Sequence, residues 1–227
     1  MKDDKPHYLG HRSRIRERFV KQGLEGFSDY EAMELLLTWM IPQRDLKPIA
    51  KRLIAKFGDF RSSLDASKEE LMEVKGIGEI AATGIKFHRS IIDRYLLQQA
   101  SGDTLETDLT SLKKFCRTKL GSQEIEVFHV FFFDTGYRMI ANEELERGTI
   151  DRAVVYPRQV IDAAMRYGAS HLVLAHNHPN GNVNPTDQDK NITRAIILAG
   201  SPLDISVYDH LIVSLDEAFS FREAGLI

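Results

Sequence analysis

Residues 125–134 (Ile-Glu-Val-Phe-His-Val-Phe-Phe-Phe-Asp) constrain the fold more than any other stretch of this chain. So dense a run of β-branched and aromatic residues reads as a strand, and Thr135-Gly136 behind it reads as the turn of a hairpin. A second strand over 138–141 and a third over 153–156 follow. Pro157 then opens a helix that runs to about Tyr167, where Gly168 ends it. Residues 171–175 form a short strand of the buried type, 185–198 a helix closed by Gly200, and 203–214 one or two more strands. Strands alternating with helices in this way imply a mixed sheet with helices packed on it.

No comparable stretch occurs in the first hundred residues, which read as short helices. Ser28 with Glu31 three residues on is a capping box opening a helix over 29–37. Helical spacing of apolar residues over 48–57 stops at Gly58, and Ser67 with Glu70 opens another helix that runs to Val74. Residues 98–104 (Gln-Gln-Ala-Ser-Gly-Asp-Thr) are polar, small and unpatterned, as a linker is. The expected organisation is therefore α+β: an all-α domain over 1–102 and an α/β mixed-sheet domain over 103–227.

Composition sharpens that division. The chain has 227 residues, 43% hydrophobic and 28% charged, which excludes a disordered or collagen-like polymer. It has no apolar run near the roughly 20 residues that span a bilayer and no signal peptide, so a cytoplasmic location without membrane association is expected. Its single cysteine, Cys116, excludes an intrachain disulfide and a thiolate zinc cluster, which leaves histidines and carboxylates for any metal. The net charge of −3 argues against nucleic acid as a partner, but it averages two unlike halves. Residues 1–100 carry 18 Lys and Arg against 15 Asp and Glu; residues 101–227 carry 12 against 18.

Two segments carry chemistry. In the first, residues 74–82 (Val-Lys-Gly-Ile-Gly-Glu-Ile-Ala-Ala), Gly76 and Gly78 flank one apolar residue between two predicted helices. Such a turn lets backbone N–H groups at a helix N-terminus approach a phosphate, and it serves equally as a tight turn without a ligand. Lys75, Lys86 and Arg89 lie in or just after it. Arg12, Arg14, Arg16 and Arg18 form a second basic cluster, spread around a helix as a solvated face would be.

The second segment is residues 175–189 (Ala-His-Asn-His-Pro-Asn-Gly-Asn-Val-Asn-Pro-Thr-Asp-Gln-Asp). Residues i and i+2 of an extended strand point the same way, so His176 and His178 can share a target. The Asn- and Gly-rich loop reverses the chain, and the helix after it can bring Asp189 back over the histidines. Two imidazoles and a carboxylate suit zinc, with a fourth position left to water. Exposed polar histidines and a capping box of Thr186 with Asp189, or an Asn184-Pro185 cap, are the competing explanations.

The second segment resembles the JAMM signature of the MPN+/JAB metallohydrolases, and its extended form looks like the RadC subgroup. Residues 126–128, 148–150, 156–158 and 209–213 also look like RadC, and 74–82 looks like a helix-hairpin-helix. The resemblance covers nearly the whole chain. It implies a helix-hairpin-helix domain that binds the DNA backbone without sequence preference through Lys75, Gly76 and Gly78. It also implies a JAB/MPN-like (cytidine-deaminase-like) hydrolase domain with zinc on His176, His178 and Asp189.

The same resemblance implies an upstream glutamate as acid/base, which is Glu126, with Glu124 as nearest rival and Glu143, Glu144 and Glu146 more distant ones. Thr186 stands where the family has Ser, as an oxyanion or water partner stiffer at χ1, and Asn180 stands where such chains commonly have Ser. JAMM relatives cleave isopeptide or peptide bonds, which makes a protein or peptide the implied substrate, while RadC is linked by name with DNA repair. His210, following Asp209, reads either as a group supporting a metal ligand from behind or as a polar residue at a strand start.

Overall fold

The computed structural model describes residues 10–42, 44–102, 109–148 and 155–227. The chain divides into two compact units, Met1–Ile92 and Asp93–Ile227. No helix among the described residues is long and apolar enough to cross a membrane.

The first unit is helical: α1 (His11–Gln22), α2 (Asp29–Leu37), α3 (Lys47–Phe57), α4 (Phe60–Asp65), α5 (Lys68–Met72) and the start of α6 (Glu79–Gly102). Its boundaries follow local chemistry. The Ser28 backbone N–H donates to the Glu31 carboxylate at 2.9 Å, and the Ser67 N–H to that of Glu70 at 2.8 Å, so both expected capping boxes form. Gly58 ends α3 at φ 95°, which an L side chain rarely adopts. The helices enclose a core that includes Met33, Leu37, Leu53, Leu71 and Ile85, each fully buried. Truncating one such leucine to alanine costs about 2–5 kcal/mol.

The second unit contains the rest of α6, α7 (Leu109–Leu120), β1 (Glu126–Phe133), β2 (Met139–Gly148), α8 (Pro157–Tyr167), β3 (His171–Asn177), α9 (Asp187–Gly200), β4 (Ser206–Val213) and β5 (Ala218–Ser220). The strands form one mixed sheet in the order β2-β1-β3-β4-β5, antiparallel except for the parallel pair β3 and β4. A parallel pair needs a crossover, and α9 supplies it.

Strand periodicity divides this unit's core in two. Val127, Phe131, Phe133, Val173, Ala175, Leu211 and Val213 pack with α7 and with Leu96 and Ala100 of α6. Phe128, Val130, Phe132, Leu172 and Leu174 face the other way, onto α8 and α9.

Three expectations differ from this architecture. The segment 98–104 is not all linker, because α6 continues to Gly102. Leu96 and Ala100 are buried in the second core, so the division falls at 92/93 inside the helix and not near 103; Asp103 and Thr104 lie outside the described residues. The strand expected over 138–141 extends to Gly148. Its polar stretch 142–148 hid it, and β2 tolerates that polarity because it is an edge strand, paired only with β1. Of the third strand over 153–156, Ala153 and Val154 lie outside the described residues, and Tyr156 is the N-cap of α8.

Candidate metal centre

His176 is the penultimate residue of β3, and His178 follows one residue past the strand, where its N–H donates to the Val213 carbonyl at 3.1 Å. The two-residue repeat directs both rings to one side, with their Nε2 atoms 3.0 Å apart. The return loop is held by its own asparagines: Asn180 Oδ1 accepts from the Asn182 N–H, and Asn182 Oδ1 from the Asn184 N–H, each at 3.0 Å. The loop delivers the chain to α9 with Thr186 as N-cap.

Asp189, three residues on, serves two purposes at once. The Thr186 N–H and hydroxyl donate to its Oδ2 at 2.7 and 2.6 Å, forming the capping box. Its Oδ1 lies 3.1 Å from His176 Nε2, and its Oδ2 lies 3.6 Å from His178 Nε2. The capping box and the convergence on the histidines, which compete as explanations of the sequence, are therefore both present.

The donor set fits a divalent cation. The Asn182 carbonyl, 2.6 Å from His178 Nδ1, can only accept, so Nδ1 carries the hydrogen and a neutral His178 presents a bare Nε2. Nitrogen lone pairs and a carboxylate thus crowd one point, with a ligand atom from each residue within 4.8 Å of the others. Tetrahedral zinc ligands at about 2.0–2.1 Å from the ion lie roughly 3.3 Å from one another, close to these separations. Burial raises the Asp189 carboxyl, but the adjacent His176 and His178 imidazoles outweigh it and hold the group well below the usual carboxylate range. The same carboxylate raises His178.

Glu126 opens β1 on the sheet face that carries His176, because Phe128 pairs with His176 across the antiparallel β1/β3 ladder. Burial raises its carboxyl, against the opposing pull of His176 and His178. With Phe128, Pro157, His176, Asp189 and Ile192 it lines a cleft of about 470 Å³.

Residues 107–226 match the RadC-like JAB domain, and residues 8–83 match the UPF0758 N-terminal family. The chain belongs to the RadC-like JAB-domain family. It is 39% identical to a UPF0758 protein of Ruegeria pomeroyi, over 98% of this chain and all of that one. It is 35% identical to a UPF0758 protein of Fusobacterium nucleatum (96% and 97% covered) and 36% identical to one of Rhodobacter capsulatus (94% and 100%).

Within this RadC-like domain the rivals of Glu126 separate by position. Glu124 lies exposed in a bend before β1 and not on its strand face. Glu143 and Glu144, on β2, pair with Arg166 and Arg147. The Thr186 hydroxyl, expected beside the reacting group, is committed to Asp189. One residue carries more than the sequence suggested. Asn177, between the histidines, is fully buried: its Oδ1 accepts from the Val127 N–H at 2.8 Å, and its Nδ2 donates to the Gln123 and Ile125 carbonyls. It clamps the backbone on both sides of Glu126. His210, which the sequence leaves between a partner of a metal ligand and a polar residue at a strand start, is fully buried in β4 against His176.

In the UPF0758 N-terminal region, Gly76 has φ 105°, and a Cβ there would lie 2.9 Å from Ile49 Cδ1. Lys75 is exposed, and its carbonyl accepts from Arg52. Gly78 precedes Glu79, whose carboxylate sits in the first turn of α6, paired with Lys68 at 2.8 Å. Lys86 donates to the carbonyls of Leu64, Asp65 and Ala66, and Arg89 pairs with Asp65. In α1, Arg12 donates to the Arg44 carbonyl, Arg16 stacks 4.7 Å over Trp39, and Arg18 pairs with Glu31. At least three of the four arginines thus fasten α1 to its own unit and do not form a merely solvated face.

Proposed function

We propose that this chain is a zinc-dependent hydrolase acting on amide or isopeptide bonds, with zinc held by His176, His178 and Asp189. One observation carries this: two imidazole nitrogens and a carboxylate oxygen converge beside a partly buried glutamate at the wall of a cleft. When bound, zinc supplies a Lewis acid that polarises a carbonyl and lowers the pKa of a water to about 7. Glu126 takes the proton of the attacking water and returns it to the leaving amine. Its burial, by raising its pKa, moves it toward the pH at which such transfer is most efficient. Phe128, Pro157 and Ile192 form the apolar wall that excludes bulk water, and Thr186 holds the Asp189 carboxylate in place. Phosphodiester cleavage is less favoured, since nucleases often use two metals and one candidate ligand cluster occurs among the described residues.

The deciding experiment measures zinc per chain and hydrolysis of peptide-like and DNA substrates for the wild type, His178→Ala and Glu126→Gln. About one zinc per wild-type chain, its loss in His178→Ala, and retained zinc with amide hydrolysis reduced about 10²–10⁴-fold in Glu126→Gln are expected. A wild type without stoichiometric zinc refutes the hydrolase. Full activity in Glu126→Gln refutes the acid/base assignment alone.

Association of the first unit with the DNA backbone, through Lys75 and the N–H groups near Gly76 and Gly78, is a second proposal, and with it a role in DNA repair. The left-handed Gly76 and the exposed Lys75 support it. Glu79 opposes it by placing a negative charge at the same helix end.

A further inference from the structure

Beside the candidate ligands lies a buried chain of hydrogen bonds. His210 of β4 is fully buried, stacked on Phe221 with ring centroids 4.7 Å apart. Its Nε2 is 2.9 Å from His176 Nδ1, and its Nδ1 is 2.7 Å from Thr193 Oγ1. Thr193 is buried on α9 one turn after Asp189, with Oγ1 2.5 Å from the Asp189 carbonyl oxygen.

The donors can be assigned from the far end. A carbonyl oxygen only accepts, so the Thr193 hydroxyl hydrogen must point to Asp189; two oxygens 2.5 Å apart with no hydrogen between them would repel. Thr193 Oγ1 then accepts from His210 Nδ1–H. A neutral imidazole carries one N–H, so His210 Nε2 is an acceptor and His176 Nδ1 must carry a hydrogen. His176 Nε2 is thereby left bare, facing His178 Nε2 and Asp189. Reversing the direction would withdraw the hydrogen from the 2.5 Å contact.

We propose that His210 and Thr193 are positioning residues whose hydrogen-bond chain holds His176 in the tautomer that presents Nε2 to the metal before the metal arrives. The proposal rests on the metal reading of the site and adds to it two residues that touch neither metal nor substrate. Outer partners of this kind are worth about 10–100-fold in metal affinity.

The test uses the full-length chain. Long-range ¹H–¹⁵N imidazole correlations on the metal-free protein report the His176 tautomer, and chelator competition reports zinc affinity, for the wild type, His210→Leu, His210→Gln and Thr193→Val. The wild type should show the hydrogen on His176 Nδ1. His210→Leu, which deletes the acceptor, should lose the single tautomer and bind zinc about 10–100-fold more weakly. The amide oxygen of glutamine can stand in for Nε2, so His210→Gln should stay within a few-fold of wild type. Thr193→Val, close in shape but without the hydroxyl, should lie between the two.

A hydrogen on His176 Nε2 in the metal-free wild type overturns the proposal, and so does zinc binding by a folded His210→Leu equal to wild type. A wild type that binds no zinc refutes the metal reading itself, while the tautomer measurement still decides the hydrogen-bond chain.

Discussion

The two loops that lead into α6 and α9 look alike in sequence, each a run containing glycine and polar residues before a helix with an acidic first turn. They end in opposite chemical states. At α6 the polar groups are satisfied from within the first unit: Glu79 by Lys68, the Lys75 carbonyl by Arg52, Lys86 by three carbonyls and Arg89 by Asp65. At α9, His176 Nε2, His178 Nε2 and Asp189 face one another, and the hydrogens their neighbours require lie on the far sides of the rings. These paired groups at α6 serve the fold, whereas the cluster at α9 could hold a metal ion.

The strongest challenge to this contrast is acid. Burial lowers His129 of β1 from 6.5 to about 4, and burial lowers His210 well below its ordinary value. Between pH 6.5 and 4 the unfolded chain binds a proton that folded His129 refuses, so stability falls as pH falls through that window. The loss from His129 is about 3 kcal/mol. Urea unfolding followed in the sheet unit should show it, and His129→Gln should flatten the profile; an unchanged slope would mean that His129 is hydrated.

Next in size is Asn177→Ala, which strips partners from the Val127 N–H and two carbonyls. It should cost about 1–3 kcal/mol of stability and lower any hydrolysis while zinc stays bound, because the clamp acts on Glu126 and not on the ligands. Loss of zinc together with activity would place Asn177 in the metal's support instead.

Gly76→Ala tests the other loop. The positive φ and the approach to Ile49 should cost about 1–3 kcal/mol by thermal unfolding. If DNA affinity of the folded variant equals wild type, the turn is a packing device. The smallest effect is expected of Lys75→Ala: one phosphate contact fewer reduces the slope of log K against log salt by about 0.9. An unchanged slope removes Lys75 from any DNA interface.

Much of this was legible in the chain. The capping boxes at Ser28 and Ser67, the stop at Gly58 and the β1 run depend on groups a few residues apart, so any stretch carrying them tends to form the same element. The triple of His176, His178 and Asp189 was legible for the same reason, being one strand end, one loop and one first helical turn. The limit showed where a residue's meaning depends on a distant partner. β2 looks too short in the sequence because its polar residues suit an edge strand only once β1 lies beside it. The sequence points to a division near 103 because nothing local tells that Leu96 and Ala100 are buried.

By itself, then, the sequence determined α2, α3 and α5 of the first unit, the principal strands of the second and the triple of His176, His178 and Asp189, since hydrogen bonds and periodicity within a dozen residues specify them. Only the tertiary structure decided that Glu126 stands beside His176, that Lys86 and Arg89 are occupied, that Asn177 clamps β1, and that His210 and Thr193 stand behind the ligand. Each of those depends on sheet register or on burial, which arise when residues far apart in the chain compete for the same space and the same hydrogen bonds.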